Sequence, residues 1–295
     1  MANCFRIDRF FMLLAFITVL FPLPRVHADE PAYSVGLGFE FASGEYGTGI
    51  RTDSVYLPFT VAVYPTERLD LSLEIPFVYQ SSSAVVAGEF TGMQSRSSGM
   101  SKLSISAAMG GSGMGGAGMG PGPRTSASAG EINNSQYGLG GMKFKAGYVL
   151  YTEERFVPAI RPNFYLKFPT ADKNKFLGTG AFDGGFAVEF TKWFGDWVAD
   201  GEAGYAIQGK SSVSAVKDYL YYYAGGGYQF TERLRLMLFI KGSAPPVEGA
   251  SALLEARLRL KYQFTKHTGI DAYLSKGITT ASPDYGTGLA VFHEF

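Results

Sequence analysis

The sequence predicts an all-β fold: a transmembrane antiparallel up-and-down β-barrel of about twelve strands, with fourteen as the alternative count. Three observations predict it. After the first 28 residues, apolar and polar side chains alternate in segments of about ten residues, the length and period of a barrel strand. Short connections with an aromatic residue at the strand end recur down the chain, and the chain ends on an aromatic, Phe295.

The first 28 residues carry a different signal. Arg6 and Arg9 precede an apolar run from Phe10 to Phe21, and Pro22, Pro24 and Arg25 end it. Val26-His27-Ala28 places small residues at the two positions a signal peptidase reads, so a secretory leader cut after Ala28 is expected. The run is too short for a membrane helix, which needs ~20 apolar residues. The one cysteine, Cys4, precedes the apolar run, so it is not a lipid-modified residue. Its removal with the leader leaves no thiol for disulfides, thiolate metal sites or a Cys nucleophile.

Removing Arg6, Arg9, Arg25 and Asp8 with the leader leaves 23 basic and 25 acidic residues, a net charge near −2. That balance excludes the electrostatic footprint of a nucleic-acid binder. The remaining chain, 29–295, is rich in Tyr, Phe and Gly and holds no apolar stretch of helical membrane length, which leaves the barrel as the membrane-spanning class.

The strands are expected near 32–42, 53–64, 69–80, 136–150, 155–169, 181–194, 197–209, 217–230, 233–244, 252–264, 268–279 and 286–295. The clearest is 254–264, where Leu254, Ala256, Leu258, Leu260, Tyr262 and Phe264 alternate with Glu255, Arg257, Arg259, Lys261 and Gln263. The second set is too charged for a dry sandwich layer and must meet water or charge partners. Connections such as Tyr64-Pro65-Thr66-Glu67-Arg68, Tyr151-Thr152-Glu153-Glu154-Arg155, Phe194-Gly195-Asp196-Trp197, Phe230-Thr231-Glu232-Arg233 and Phe264-Thr265-Lys266-His267 place an aromatic at the strand end and charge in the turn. That is the chemistry of an interfacial girdle. Alternate connections are longer, so short turns mark a periplasmic end and long loops an outer one.

The segment 81–134 reads as one long extracellular loop rich in Gly, Met and Ser. Ala84–Phe90 and Leu103–Ala108 could add a hairpin within it, which is the origin of the fourteen-strand count. Met100, Met109, Met114 and Met119 have no His or Cys companion and read as incidental loop residues; no cofactor is expected. Gly204 to Ser211 fits the phosphate-loop pattern letter by letter, but its interior alternates as a strand and no helical period follows, so it is rejected. Catalysis is not expected either. His267 and His293 are the only histidines beyond the leader; both fall at the short-turn end, and His293 shares the lipid-facing phase of Val291 and Phe295.

The inward phase carries the candidate site: Lys143, Lys145, Arg161, Lys167, Glu189, Glu202, Arg235, Lys241, Glu255, Arg257, Arg259, Lys261 and Asp271, with Asp70, Glu74, Asp183 and Asp200 in the same phase. Two readings stay open. The charges either bias which solutes pass or form a salt-bridged interior that stabilises a narrow barrel, since twelve strands fall between filled and open barrels.

A family pattern then emerges from Tyr137-Gly-Leu-Gly-Gly-Met-Lys-Phe-Lys-Ala-Gly-Tyr148, Lys167-Phe-Pro-Thr-Ala-Asp172, Leu177-Gly-Thr-Gly-Ala-Phe-Asp183, Lys192-Trp-Phe-Gly-Asp-Trp197 and Ser282-Pro-Asp-Tyr-Gly286. These resemble outer-membrane proteins of the MetA-pathway of phenol degradation family, closely from Tyr137 to Phe295 and in pattern only before that. The family's Gly-Asp is Gly140-Gly141 here, its Pro-Thr-Gly-Asp is Pro169-Thr170-Ala171-Asp172, and the Gly/Met-rich loop is unusual for it. The resemblance implies a transport barrel for small, aromatic or hydrophobic solutes in the outer membrane of a Gram-negative bacterium, and it brings no functional residues. The leading expectation is therefore a passive outer-membrane channel; the alternative is a non-conducting structural or surface-interaction barrel. Expected partners are the solute, outer-membrane lipid and lipopolysaccharide, and the barrel-assembly machinery acting on the last strand at Phe295; nucleic acid is excluded.

Overall fold

A strand that crosses lipid must have its backbone hydrogen-bonded along both edges, because no water is available there. The computed structural model meets this requirement by closing a single antiparallel sheet on itself. It describes residues 33–83, 135–210 and 215–295, together with the backbone of 85–86 and 122–123. The leader expected over 1–28 lies outside the described residues.

The strands are β1 (Tyr33–Gly44), β2 (Thr52–Val63), β3 (Leu69–Gln80), β4 (Val85–Val86), β5 (Gly122–Pro123), β6 (Gln136–Leu139), β7 (Lys143–Tyr148), β8 (Ala159–Lys167), β9 (Asp183–Phe194), β10 (Trp197–Ile207), β11 (Tyr219–Thr231), β12 (Leu234–Ser243), β13 (Leu253–Gln263), β14 (Thr268–Gly277) and β15 (Tyr285–Glu294). Consecutive strands pair as hairpins, and β1 pairs with β15 from Ser34↔Glu294 to Ser43↔Tyr285, which closes the ring. The ring has twelve strand positions, with β6 an extra piece that shares the edge of β3 with β7. The fourteen-strand count is corrected: β4 pairs only with β5, in a separate two-stranded sheet. Apart from β4 and β5, residues 84–134, Leu103–Ala108 and the four loop methionines included, lie outside the described residues.

Alternation along each strand gives two unlike faces. Leu238 and Leu274 are 59% and 61% exposed, while Asp271 and Lys143, on the opposite phase, are 0% and 1% exposed. This is the reverse of a water-soluble protein. Exposed Phe194, Trp197, Phe230, Phe264 and Phe295 collect at the short-turn end, and Tyr79, Tyr137, Phe182, Tyr222 and Tyr285 at the other, as membrane interfaces require.

The recurrent threonines of the short turns have a common role. The Thr66 hydroxyl accepts from the backbone N–H of Arg68 and Leu69, that of Thr231 from Arg233 and Leu234, and that of Thr265 from His267 and Thr268. Each hydroxyl satisfies two donors that the tight turn leaves without a ladder partner. The two-residue turn Gly195-Asp196 works otherwise: Gly195 has φ +65°, which a hairpin of that length demands and Gly supplies without strain.

Two strand bounds depart from the sequence expectation. The strand expected over 136–150 breaks at Gly140-Gly141-Met142, because the Thr170 hydroxyl takes its edge: Met142 N–H donates to Thr170 Oγ1 at 2.9 Å, and Thr170 Oγ1 donates to the Gly140 carbonyl at 2.8 Å. The strand expected from 155 begins at Ala159, after Pro158, which has no N–H for a ladder. The connection before it is a ten-residue loop over 149–158 rather than a tight turn, and Glu153 anchors it by accepting from Lys192 Nζ at 2.8 Å and from Trp193 N–H at 2.9 Å.

Gly225 provides a test of the packing inside β11. A Cβ there would lie 2.2 Å from the Leu238 carbonyl oxygen and 2.5 Å from the Phe239 ring. Gly225→Ala is expected to lower stability by about 1–3 kcal/mol, read from the urea midpoint in detergent micelles, while Ala224→Leu on the lipid face leaves the midpoint unchanged.

Candidate functional site

The period of two that sends leucine and phenylalanine to lipid sends charge inward. On β3 and β7–β10, Lys143 pairs with Glu74 at 3.2 Å and Lys145 with the same carboxylate at 3.9 Å. Arg161 joins Asp70 (2.6 Å) to Glu189 (2.8 Å), and Lys167 pairs with Asp183 at 2.6 Å. Asn163 donates to both Glu189 and Glu202, at 3.0 and 3.2 Å. Asp200 accepts from Thr191 at 2.8 Å.

A second charged wall lies on β12–β14. Glu255 sits between Lys241 (3.3 Å) and Arg257 (3.0 Å), and Asp271 receives the guanidinium of Arg259. Arg235 stacks over Trp193 at 4.6 Å and donates to Gln229; Arg257 lies over the Tyr273 ring at 4.2 Å; Lys261 lies 5.7 Å from the Phe292 ring. All thirteen candidate residues are thus buried or half-buried, and the structure divides them between these two walls.

Between the walls runs β11, whose inward residues include Tyr219, Tyr221 and Tyr223, all buried. Tyr56, Tyr165 and Tyr273 are buried as well. Sequence reasoning places Tyr165 in the phase of Asn163 and Lys167 but misses the other five, because an aromatic suits a lipid face and a lumen equally. Strand parity is the signal that could have found them: Tyr223 shares its phase with Gln229, and Tyr273 with Asp271. Glu40 was missed for another reason, since its neighbours Gly36 and Gly38 hide the alternation.

The outer mouth is narrowed by the connection between β8 and β9. Its root is the Lys167–Asp183 pair; Thr170 hooks it to the break between β6 and β7; and the Asp172 carboxylate accepts from Asn174 N–H at 2.9 Å, capping a short 3₁₀ turn over Lys173–Lys175. Phe176 follows at φ +57°, a left-handed residue that reverses the chain and directs Leu177 back into the barrel. Leu177 is 2% exposed and packs with Tyr56, Val78 and Ala171. Nothing in the apolar pattern of this segment distinguishes such an inserted leucine from a strand residue. His267 and His293 lie at the short-turn end as expected, with His293 Nδ1 2.8 Å from the Thr268 hydroxyl.

A closed sheet with an apolar outer belt, aromatic girdles and a charge-lined interior defines an outer-membrane β-barrel protein of a Gram-negative bacterium. More particularly, the chain belongs to the MetA-pathway of phenol degradation family, whose model matches residues 25–295. Among solved structures it is similar to the KdgM porin (10% identity, 89% of this chain and 99% of that one, TM-score 0.47), the toluene transporter TodX of P. putida (12%, 90% and 90%, 0.41) and the translocator domain of the autotransporter NalP from Neisseria meningitidis (11%, 98% and 95%, 0.45). No curated protein matches the chain in sequence.

The Arg259–Asp271 pair offers a direct measure of how the interior is held. Asp271→Asn removes the charge that the Arg259 guanidinium meets directly and is expected to cost about 3–5 kcal/mol, whereas the double replacement Arg259→Met with Asp271→Leu costs far less. Unfolding midpoints of the two variants check this.

Proposed function

We propose that the protein is a passive outer-membrane channel for small solutes, aromatic or hydrophobic ones among them. One observation carries the reading: like charges stand directly opposite each other on neighbouring strands at Glu189↔Glu202, Lys143↔Lys167 and Arg235↔Lys261. Such pairs destabilise a sheet, and buried ion pairs give little stability compared with apolar packing. An interior serving stability alone would be filled with leucine and valine. Charge retained at this cost suits a passage in which water and solute screen the repulsion as they move. The inward tyrosines support aromatic solutes, since each presents a π-face to a passing ring.

The second reading is a sealed barrel, favoured by the depth at which Leu177 and the ion pairs are buried. Under either reading residues 1–28 are a cleaved export signal, 81–134 is an extracellular loop, the outer belt meets lipid and lipopolysaccharide, and β15 with Phe295 is the segment presented to the barrel-assembly machinery. We assign no cofactor and no catalytic step; the thirteen inward charges act by lining the passage.

Planar-bilayer recording separates the two readings. The wild type is expected to give discrete but small conductance steps, and removing 173–180 to enlarge them several-fold, because Leu177 leaves the mouth. A wild type that is silent, and stays silent after the deletion, sinks the channel and leaves the sealed barrel.

A further inference from the structure

The charged walls leave one side of the interior almost neutral. On β15, β1 and β2 the inward phase is built largely of small residues, and Glu40 and Glu294 are its only charged members. The cavity on this side is small, about 10 Å³, the room of one water, and is lined by Glu40, Pro58, Thr60, Ala290, Phe292 and Leu289 among others. Glu40 is 1% exposed. Its Oε2 accepts from the Tyr273 hydroxyl at 2.8 Å, while Oε1, equally buried, has no hydrogen-bond partner among the described residues.

Tyr273 reaches Glu40 from β14 by crossing β15 at Gly288, where a Cβ would lie 2.4 Å from the ring. Arg257 stacks on the other side of the same tyrosine at 4.2 Å. A buried acceptor without a donor is costly, and this one borders the cavity.

We propose that Glu40 is the recognition residue of a solute site on the β15–β1–β2 wall, and that it takes the hydroxyl of a small neutral solute. The proposal rests on the channel reading above. The vacant Oε1 calls for a donor. The neighbouring Arg257 removes the advantage a cation would otherwise have, and the Pro58 ring packed over Gly38 leaves room for little more than a hydroxyl group, so the solute is small.

Liposomes carrying the full chain, swollen in isotonic erythritol and separately in glycine betaine, test this, because the two solutes are of similar size and only the first has donors. The wild type is expected to pass erythritol faster. Glu40→Leu lowers the ratio of the two rates roughly fivefold, the order of one hydrogen bond, and Glu40→Gln lowers it less because its amide oxygen still accepts. Heat-modifiable migration reports folding of each variant; should Glu40→Leu fail to fold, a fall in the ratio for Glu40→Gln supports the site in its place. Unchanged ratios in swelling liposomes overturn the Glu40 site and leave the channel standing. A ratio that rises on replacement, or a swelling rate in ethanolammonium chloride that depends on Glu40 more than erythritol does, overturns the hydroxyl assignment. Wild-type liposomes that swell in neither solute overturn both the site and the channel.

Discussion

The hydrogen-bond closure between β1 and β15 is the constraint on which everything else depends. Hydrocarbon offers no partner for a free backbone N–H or carbonyl, so a sheet can cross it only when it has no edge. Once Ser34 to Ser43 pair with Glu294 to Tyr285, the ring is complete and each strand acquires one face toward lipid and one toward the interior. The period of two then admits no compromise: a one-residue slip would send Arg257, Arg259 and Lys261 into hydrocarbon. Charge inside and leucine outside therefore fix the register of the sheet as firmly as the hydrogen bonds do.

The family's sequence pattern acquires a physical meaning in this frame. Lys167 and Asp183 tie the root of the β8–β9 connection; Thr170 replaces ladder partners at the break between β6 and β7; Asp172 caps the turn; and Leu177 is carried into the barrel. The pattern thus describes one loop folded inward over the mouth. The departures in this chain are compatible with that role. Ala171 is itself buried against Leu177, and Gly141 makes room for the Lys167 stem, which would lie 2.7 Å from a Cβ at that position.

The barrel was readable from sequence because its strongest signal is local. Alternation over 254–264 places β13 within a residue of its observed ends, and Thr66, Thr231 and Thr265 mark turns whose hydroxyls serve the same two donors. Where the outcome depends on residues distant in sequence, the pattern is silent. The break at Gly140-Gly141-Met142 is imposed by Thr170 and the late start of β8 by a proline and by Glu153, whose partners are on β9. The thirteen inward charges could be assigned a phase but not partners: that Arg161 bridges Asp70 and Glu189 follows from the ring order of β3, β7, β8 and β9. Leu177 and the inward tyrosines other than Tyr165 were invisible because lipid, girdle and lumen all accept an apolar or aromatic side chain.

The interior is therefore asymmetric for a reason that its chemistry makes plain. Long charged side chains need partners within a few ångströms, and pairing draws Lys143, Arg161 and Lys167 to Glu74, Glu189 and Asp183 on one wall, and Arg257, Arg259 and Lys241 to Glu255 and Asp271 on the other. Those walls fill their own share of the interior. On β15 and β1 the inward positions are chiefly glycine, alanine and serine, which fill little, so the remaining volume falls on that side. On the channel reading, a solute passing Leu177 meets two walls of ion pairs, on which Glu202 Oε1 and Glu255 Oε2 also lack a donor among the described residues, and one wall of small residues on which Glu40 Oε1 does. What sets Glu40 apart on that reading is its surroundings: the oxygens of Glu202 and Glu255 are crowded by long charged side chains, whereas that of Glu40 borders glycine and alanine.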